Sequence, residues 1–309
     1  SLLDIYKSST IMAISACVAG IANGFLILEP GVTLSLLSRF MTGMALAGIY
    51  PTVIKFIATW FKKGRGFAMG IMLSALTLGS AMPHLIRAVG VQFDWKLVII
   101  MSSLACLIAA VLFAFVLHDG PHQFSKTKTD VNQLGRIIRD RPVMLANMGY
   151  FGHMWELYAF WTFVPVILTK YSMQQQISFN IPFLSFLIIG VGSLACVTSG
   201  YISKSIGVKR TAFGSLFLSC LCCIISPLLL TSDYEIALIV FFLFWGMVVV
   251  ADSPLLSTLV AQNALLELKG TAITIVNCIG FSITIISIQL INSLTNFTDS
   301  NFMYMILAI

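Results

Sequence analysis

Apolar residues dominate this chain in long runs that short polar stretches separate. A helix needs about 20 apolar residues to cross a hydrocarbon core of about 30 Å. Runs of that order fall at 11–28, 32–59, 66–88, 97–117, 143–168, 181–202, 211–230, 236–260 and 271–291. A tenth run starts near Phe302 and is cut after eight residues. Strands of a transmembrane barrel would alternate over segments of about 10 residues, so the pattern predicts an all-α bundle that crosses a membrane many times.

Composition agrees with this fold class and excludes several others. Of the 309 residues, 58% are hydrophobic and only 10% are charged, whereas soluble domains carry about 25% charged residues. This excludes a cytosolic enzyme, a secreted disulfide scaffold and a disordered segment. The seven cysteines lie inside apolar runs without metal-ligand spacing, which indicates ordinary core residues.

The basic residues predict an orientation. Thirteen of the eighteen lysines and arginines fall in every second loop, counted from the start of the chain, against three in the intervening loops. Cytoplasmic loops retain positive charge, so we expect the first set to be cytoplasmic and the protein to lie in the plasma (inner) membrane. The net charge of +6 is then a sign of topology, and no nucleic-acid partner is indicated.

One long polar loop and a weak internal repeat predict two related halves. The segment 118–141 is polar, with a turn signal at its Gly-Pro pair. Before it Arg65-Gly-Phe-Ala opens a span, and after it Lys269-Gly-Thr-Ala opens another, 204 positions later. We therefore expect a half-bundle at 1–117, a central cytoplasmic loop at 118–141 and a second half-bundle at 142–309.

Several short motifs resemble those of the major facilitator superfamily. GYISKSIGVKR at 200–210 is similar to the family's loop between helices 8 and 9, with Lys204 where an acid is usual. RFMTG at 39–43 resembles the Arg-x-x-x-Gly of helix 4, and WFKKGRGFAMG at 60–70 resembles the entry to helix 5. The chain is identified on these motifs as a member of the superfamily.

The resemblance implies a pair of six-helix bundles, incomplete at both ends, that contains helices 3 to 6 and helices 7 to 12 with the last one truncated. It further implies a monomeric carrier that moves a small molecule by alternating access, and it implies no cofactor. The spacing of Gly70, Gly79 and Pro83 in helix 5 is only partly that of the antiporters.

His153 and Glu156 are the first candidate site, because ionisable groups inside a membrane are costly. They lie three residues apart in the run 143–168, and this spacing places both on one helix face. A carboxyl and an imidazole that share a proton would suit a proton-coupled carrier. A structural polar pair that bridges two helices is the competing interpretation.

Asp252 is the second candidate. It interrupts an apolar run, and Pro254 two residues later frees backbone carbonyls. A broken helix with an acid at mid-span is typical of a binding or coupling site. An aspartate that caps the second half-helix would show the same pattern.

The remaining candidates are cationic or amide side chains. Arg39 lies several residues inside its span, so we expect it to pair with an acid or to line a cavity. His84 and Arg87 lie toward the outer end of 66–88, where Arg87 either reaches the headgroups or faces an anionic substrate. Asn277 either binds a ligand or forms an interhelical hydrogen bond.

These residues favour a secondary transporter of a small organic anion, coupled to protons, as the function. No nucleotide-binding loop or channel filter motif is present in the sequence. A drug/proton efflux antiporter is the second hypothesis, and a membrane-embedded lipid-modifying enzyme is the third. The HDGPH stretch at 118–122 is too short and too broken by proline to predict a metal site.

Overall fold

The computed structural model describes residues 6–61, 63–89, 94–122, 141–263, 269–298 and 300–308. Twelve α-helices and two 3₁₀ helices form these described parts. The α-helices are α1 Ser8–Gly24, α2 Val32–Leu46, α3 Tyr50–Trp60, α4 Arg65–Val89, α5 Trp95–Phe115, α6 Arg141–Gln174, α7 Ile181–Gly190, α8 Gly192–Ile206, α9 Val208–Leu230, α10 Glu235–Ala251, α11 Ser253–Asn263 and α12 Lys269–Phe297. The 3₁₀ helices are Phe25–Leu28 and Asn301–Leu307.

Eight helical segments of the described residues are long and apolar enough to cross a membrane. They correspond to eight of the nine complete runs predicted from the sequence. The remaining run, 143–168, lies within the 34-residue α6, which is long enough to cross a bilayer but less apolar than the eight. Its polar residues include His153 and Glu156, which the sequence marks as candidates. The tenth run forms the short 3₁₀ helix Asn301–Leu307.

Three of the predicted spans are interrupted helices. The run 32–59 divides between α2 and α3 just before Pro51, and the run 181–202 divides at Val191 between two glycines. The run 236–260 divides at Asp252, two residues before Pro254. Proline has no amide hydrogen, and glycine weakens a helix, so each interruption has a local cause.

The described residues fall into two compact units. The first contains α1, α2, α3, α5 and the first residues of α12; the second contains α4, α6 to α11, the rest of α12 and the C-terminal 3₁₀ helix. The half-bundles at 1–117 and 142–309 were predicted from an internal repeat and the membrane topology, whereas the two units are defined by contacts. The predicted half-bundles therefore stay a prediction.

In the first unit, α1 packs closely on α5. A Cβ added to Gly20 would lie 3.1 Å from both the Cβ of Cys106 and the carbonyl oxygen of Ser103. Five residues of the predicted central loop, 118–122, are described, and they bind the end of α3: the Gly120 amide donates to the Thr59 hydroxyl at 3.0 Å. The remainder of that loop up to residue 140 lies outside the described residues.

In the second unit, α4 packs on α8 through small residues. A Cβ on Gly200 would lie 2.7 Å from the carbonyl oxygen of Gly66, and one on Gly70 would overlap the carbonyl of Cys196. Such close backbone approach is typical of helices packed in membranes. This close packing is a structural reason for glycine at position 70, which is also part of the incomplete antiporter pattern.

The turn after α8 explains the glycine of the predicted loop motif. Gly207 has φ +95° and ends the helix there, a conformation that side chains with a Cβ rarely adopt. Lys204, which replaces the usual acid, places its Nζ 3.8 Å from the centre of the Phe67 ring. At this position, where the family usually has an acid, the side chain therefore forms a cation–π contact with Phe67.

Candidate functional site

Glu156 lies at the centre of a buried polar site in the second unit. Its side chain is only 5% exposed. One carboxyl oxygen, Oε1, accepts hydrogen bonds from Ser219 Oγ at 2.5 Å, Trp245 Nε1 at 2.8 Å and Cys223 Sγ at 3.2 Å. Since burying a carboxyl without partners costs several kcal/mol, these three donors are what allows α6 to carry an acid here.

Helix geometry positions each donor. Ser219 and Cys223 are four residues apart, so they face the same side of α9, and Trp245 lies on α10. The Trp245 side chain is fully buried. Aromatic rings pack around its indole, namely Phe160 at 4.7 Å, Phe241 at 5.6 Å and Phe242 at 5.7 Å between ring centres. This packing fixes the direction in which its N–H points.

His153 forms the second part of the site, one turn before Glu156 on α6. Its Nδ1 lies 2.9 Å from Asp252 Oδ1, and its Nε2 lies 2.6 Å from Ser253 Oγ. All three side chains are at least 96% buried. The distance between His153 and Asp252 is within the range of an ion pair. Among the described residues, however, no donor has the alignment with Asp252 Oδ1 that a hydrogen bond requires.

Asp252 joins α10 to α11 at the single residue that interrupts them. Its carbonyl accepts from the amides of Leu255 at 2.9 Å and Leu256 at 2.8 Å, so the chain continues in helical conformation past the interruption. The Asp252 side chain lies against His153 of α6. The structure therefore brings together two acids and one imidazole that the sequence presented as separate candidates.

This arrangement gathers two carboxyls and an imidazole in one buried site. Charged side chains in such a site are costly unless they are paired or hydrogen-bonded. The aspartate contacts the imidazole, and the imidazole contacts the serine hydroxyl. This row of contacts also resembles the nucleophilic constellation of hydrolases. Ser253 is only 4% exposed, which leaves its hydroxyl inaccessible to a substrate in this conformation.

Arg39 lies in the first unit and pairs with an amide rather than an acid. Its Nη1 donates to Asn23 Oδ1 at 2.8 Å. The amide nitrogen of Asn23 donates in turn to Ser103 Oγ at 2.9 Å and Ser102 Oγ at 3.0 Å. Arg39 also borders an open cavity of about 520 Å³. The expectation that Arg39 lines a substrate cavity stays a prediction.

The other predicted site residues lie elsewhere. His84 is half-buried and Arg87 is exposed near the end of α4, and both interpretations of Arg87 stay predictions. Asn277 is 6% exposed, and its Nδ2 has no hydrogen-bond partner among the described residues.

Sequence reasoning missed the donors to Glu156 and the partner of His153. Ser219, Cys223, Trp245 and Ser253 all lie in apolar runs, where serine, cysteine and tryptophan are common core residues. The spacing of Ser219 and Cys223 indicates one helix face, but nothing in the sequence indicates that this face meets α6.

The fold and its buried ionisable site define a polytopic helical membrane protein with the features of a carrier. The sequence profile of the Major Facilitator Superfamily matches residues 1–288. The chain belongs to this superfamily, which confirms the family and the fold class predicted from its motifs.

Two relatives of the chain are named as transporters. The chain is 25% identical over 256 residues to the probable sulfoacetate transporter SauU of Cupriavidus necator, covering 75% of this chain and 59% of that protein. It is 23% identical over 225 residues to the hexuronate transporter of Bacillus subtilis, covering 69% of this chain and 53% of that protein. The alignments thus span little more than half the length of these relatives.

Solved structures share the fold. The human organic anion transporter MFSD10 superposes with a TM-score of 0.74 at 14% identity, covering 99% of this chain and 78% of that one. The fucose:proton symporter FucP of E. coli superposes with a TM-score of 0.73 at 12% identity, covering 99% and 82%. At these identities the likeness concerns the fold alone.

Proposed function

We propose that the protein is a proton-coupled symporter of a small organic anion, working as a monomer in the plasma membrane. The observation that carries the proposal is Glu156, a carboxyl removed from water in the interior of a carrier and held by donors from two other helices. Asp252 and His153 lie in the same site and offer a second acid and a base. Few residues in a membrane interior are ionisable without a functional reason.

Glu156 couples proton binding to helix packing. As a carboxylate it accepts bonds from α9 and α10 and so ties both to α6. When it takes a proton, its charge is lost and these bonds weaken, because bonds to ionised acceptors are about twice as strong as neutral ones. A change in protonation therefore changes the relative free energy of the conformations open to each side, as alternating access requires.

An anionic substrate agrees with the cationic side chains and with the named relatives. Arg39 is an arginine inside a predicted span, held in place by Asn23, and guanidinium groups match carboxylate and sulfonate groups well. Sulfoacetate and hexuronates, the solutes in the names of two relatives, are both small organic anions. These names support the substrate class for this chain and do not identify the substrate.

Uptake into proteoliposomes tests the proposal. Purified protein is reconstituted, and uptake of radiolabelled small acids is measured with and without an inward proton gradient. We expect the gradient to drive accumulation, and Glu156→Gln to abolish it while exchange of internal for external substrate continues. Asp233→Asn is the matched control, since Asp233 is an exposed loop acid whose loss should leave accumulation unchanged.

Two results would count against the proposal. Uptake that is independent of the proton gradient would remove proton coupling. Accumulation by Glu156→Gln equal to that of the wild type would remove Glu156 as the coupling residue.

A further inference from the structure

The ends of helices α4, α8 and α9 in the second unit carry a basic patch, which we define as Arg65, Lys204, Lys209 and Arg210. Arg65 is the first residue of α4, and Lys204 lies in the last turn of α8. Lys209 and Arg210 lie in the first turn of α9, which follows α8 after the single residue Gly207. All four lie on the side of the membrane that the distribution of bases predicts to be cytoplasmic.

Contacts between α4 and α8 hold this patch together. A Cβ added to Gly66 would lie 2.8 Å from the hydroxyl oxygen of Ser203, so the two helices approach closely beside the patch. The Nζ of Lys204 lies 3.8 Å from the centre of the Phe67 ring and 5.3 Å from that of the Tyr201 ring. The ammonium group is therefore held over the first turn of α4, which begins with another base of the patch.

No acidic residue of these helices balances the patch. Helices α4, α8 and α9 contain no aspartate or glutamate, and Arg87, at the opposite end of α4, is their only other lysine or arginine. The family usually has an acid where this chain has Lys204, so the lysine makes the patch more positive by two charges. Like charges that lie close together repel one another. An anion bound among the four bases would relieve this repulsion.

Exposed aromatic side chains on α9 indicate what kind of anion fits. Lys209, Phe213 and Phe217 are spaced by four residues, so they lie on one face of the helix. Phe213 is 69% and Phe217 is 54% exposed, and their rings stack with centres 6.3 Å apart. In a membrane, apolar side chains on such a face contact lipid acyl chains. The face thus offers bases at its end and an apolar surface next to them, as a phospholipid requires.

We propose that the basic patch binds the phosphate group of an anionic phospholipid, whose acyl chains lie along Phe213 and Phe217. Arginine binds phosphate oxygens in pairs, and lysine binds phosphate as a point charge. Clusters of four or more bases at the cytoplasmic end of spanning helices are typical of binding to anionic lipids. This lipid site is separate from Glu156 and its partners, so it does not depend on the proposed transport function.

The test compares two lipids that differ in headgroup charge. Phosphatidylglycerol is anionic and phosphatidylethanolamine is zwitterionic, and both are used with the same acyl chains. Their dissociation constants are measured on the purified full chain in detergent by native mass spectrometry. Glycerol phosphate, which has a phosphate but no acyl chains, is titrated in the same way.

The variants remove charges inside and outside the patch. Arg210→Gln removes one charge of the patch, and the double variant Lys209→Gln with Arg210→Gln removes two. Arg141→Gln is the matched control, because Arg141 is the exposed first residue of α6 and lies on the same predicted side of the membrane. Each change replaces an exposed base by an uncharged polar residue. Unchanged binding of phosphatidylethanolamine in every variant shows that the fold is retained.

We expect the wild type to bind phosphatidylglycerol more than about tenfold tighter than phosphatidylethanolamine. Arg210→Gln should weaken binding of phosphatidylglycerol about fivefold and the double variant about twentyfold, whereas Arg141→Gln should leave it unchanged. Equal affinity of the wild type for the two lipids would overturn the inference, and so would an equal loss in Arg210→Gln and Arg141→Gln. Glycerol phosphate bound as tightly as phosphatidylglycerol would also overturn it, because the patch would then be a site for a free anion.

Discussion

The hydrogen bond from Ser219 to Glu156 should make Ser219→Ala destabilising out of proportion to its size. The substitution removes one hydroxyl and no carbon atom. The Oγ–Oε1 distance of 2.5 Å is the shortest of the three contacts to this carboxyl oxygen, and Ser219 is 1% exposed, so water cannot replace the lost donor. Glu156 keeps the bonds from Trp245 and Cys223.

The magnitude follows from these contacts. Hydrogen bonds between membrane helices contribute about 0.6 kcal/mol on average and about 1.7 at most, and bonds to charged acceptors in proteins contribute about 1.5–3 kcal/mol. A short bond to a carboxyl belongs near the upper end of the first range. Because two donors remain, the full cost of an orphaned acid is not incurred. We therefore expect Ser219→Ala to cost about 1–2 kcal/mol.

Thermal unfolding of the protein in detergent measures this cost. A change of 1 kcal/mol shifts the midpoint of a protein this large by about 2 °C, so Ser219→Ala should lower Tm by about 2–4 °C. Ser226→Ala is the control, since Ser226 is also fully buried on α9 but bonds the carbonyl of Cys223 in its own helix. That carbonyl is already part of the helix ladder, so the control should change Tm little.

A double-mutant cycle isolates the contact itself. If the bond to the carboxyl is responsible, Ser219→Ala should cost less in a Glu156→Gln background than in the wild type. Equal Tm values for Ser219→Ala and Ser226→Ala, or an equal cost in both backgrounds, would show that the Ser219 hydroxyl does not stabilise Glu156.

Two further predictions concern the same unit. Asp252→Asn removes the buried acid that contacts His153 and should cost about 3 kcal/mol. In thermal unfolding, the double variant with His153→Gln should lose less stability than the sum of the two single variants. Additive losses would contradict the pairing. Gly246→Ala places a Cβ against the carbonyl of Ile188 on α7 and should cost about 1–3 kcal/mol. Gly214→Ala is the control, because its Cβ meets no atom within 4 Å, and it should leave Tm unchanged or higher. Equal Tm values for the two variants would contradict the close approach of α10 to α7.

The sequence predicted the spans well because length and hydropathy alone determine them. Every complete run predicted to cross the membrane corresponds to a helix or a pair of helices in the described residues. The interruption at Asp252 was predictable too, because proline at 254 acts locally. Likewise, the turn at Gly207 follows from one residue type at one position.

Partners of the candidate residues were not predictable, because they depend on which helix faces meet. His153 and Asp252 are 99 positions apart, and Glu156 is 63 positions from Ser219. A helical repeat indicates which residues share a face but not which helix that face contacts. Arg39 shows the same limit: its position inside a span indicates a buried partner, yet an amide at position 23 fills that role in place of the expected acid.

The two acids of the site differ in what surrounds them, and this difference divides their roles. The Oδ1 of Asp252 lies 2.9 Å from the Nδ1 of His153, so this acid has an ionisable partner in the interior. Glu156 has only neutral donors on the oxygen that the structure shows bonded. Its charge is therefore stabilised by hydrogen bonds and not neutralised, and its loss on protonation changes the net charge of the site. On the proposed function, Glu156 is the residue that binds the transported proton, while His153 and Asp252 maintain the geometry around it.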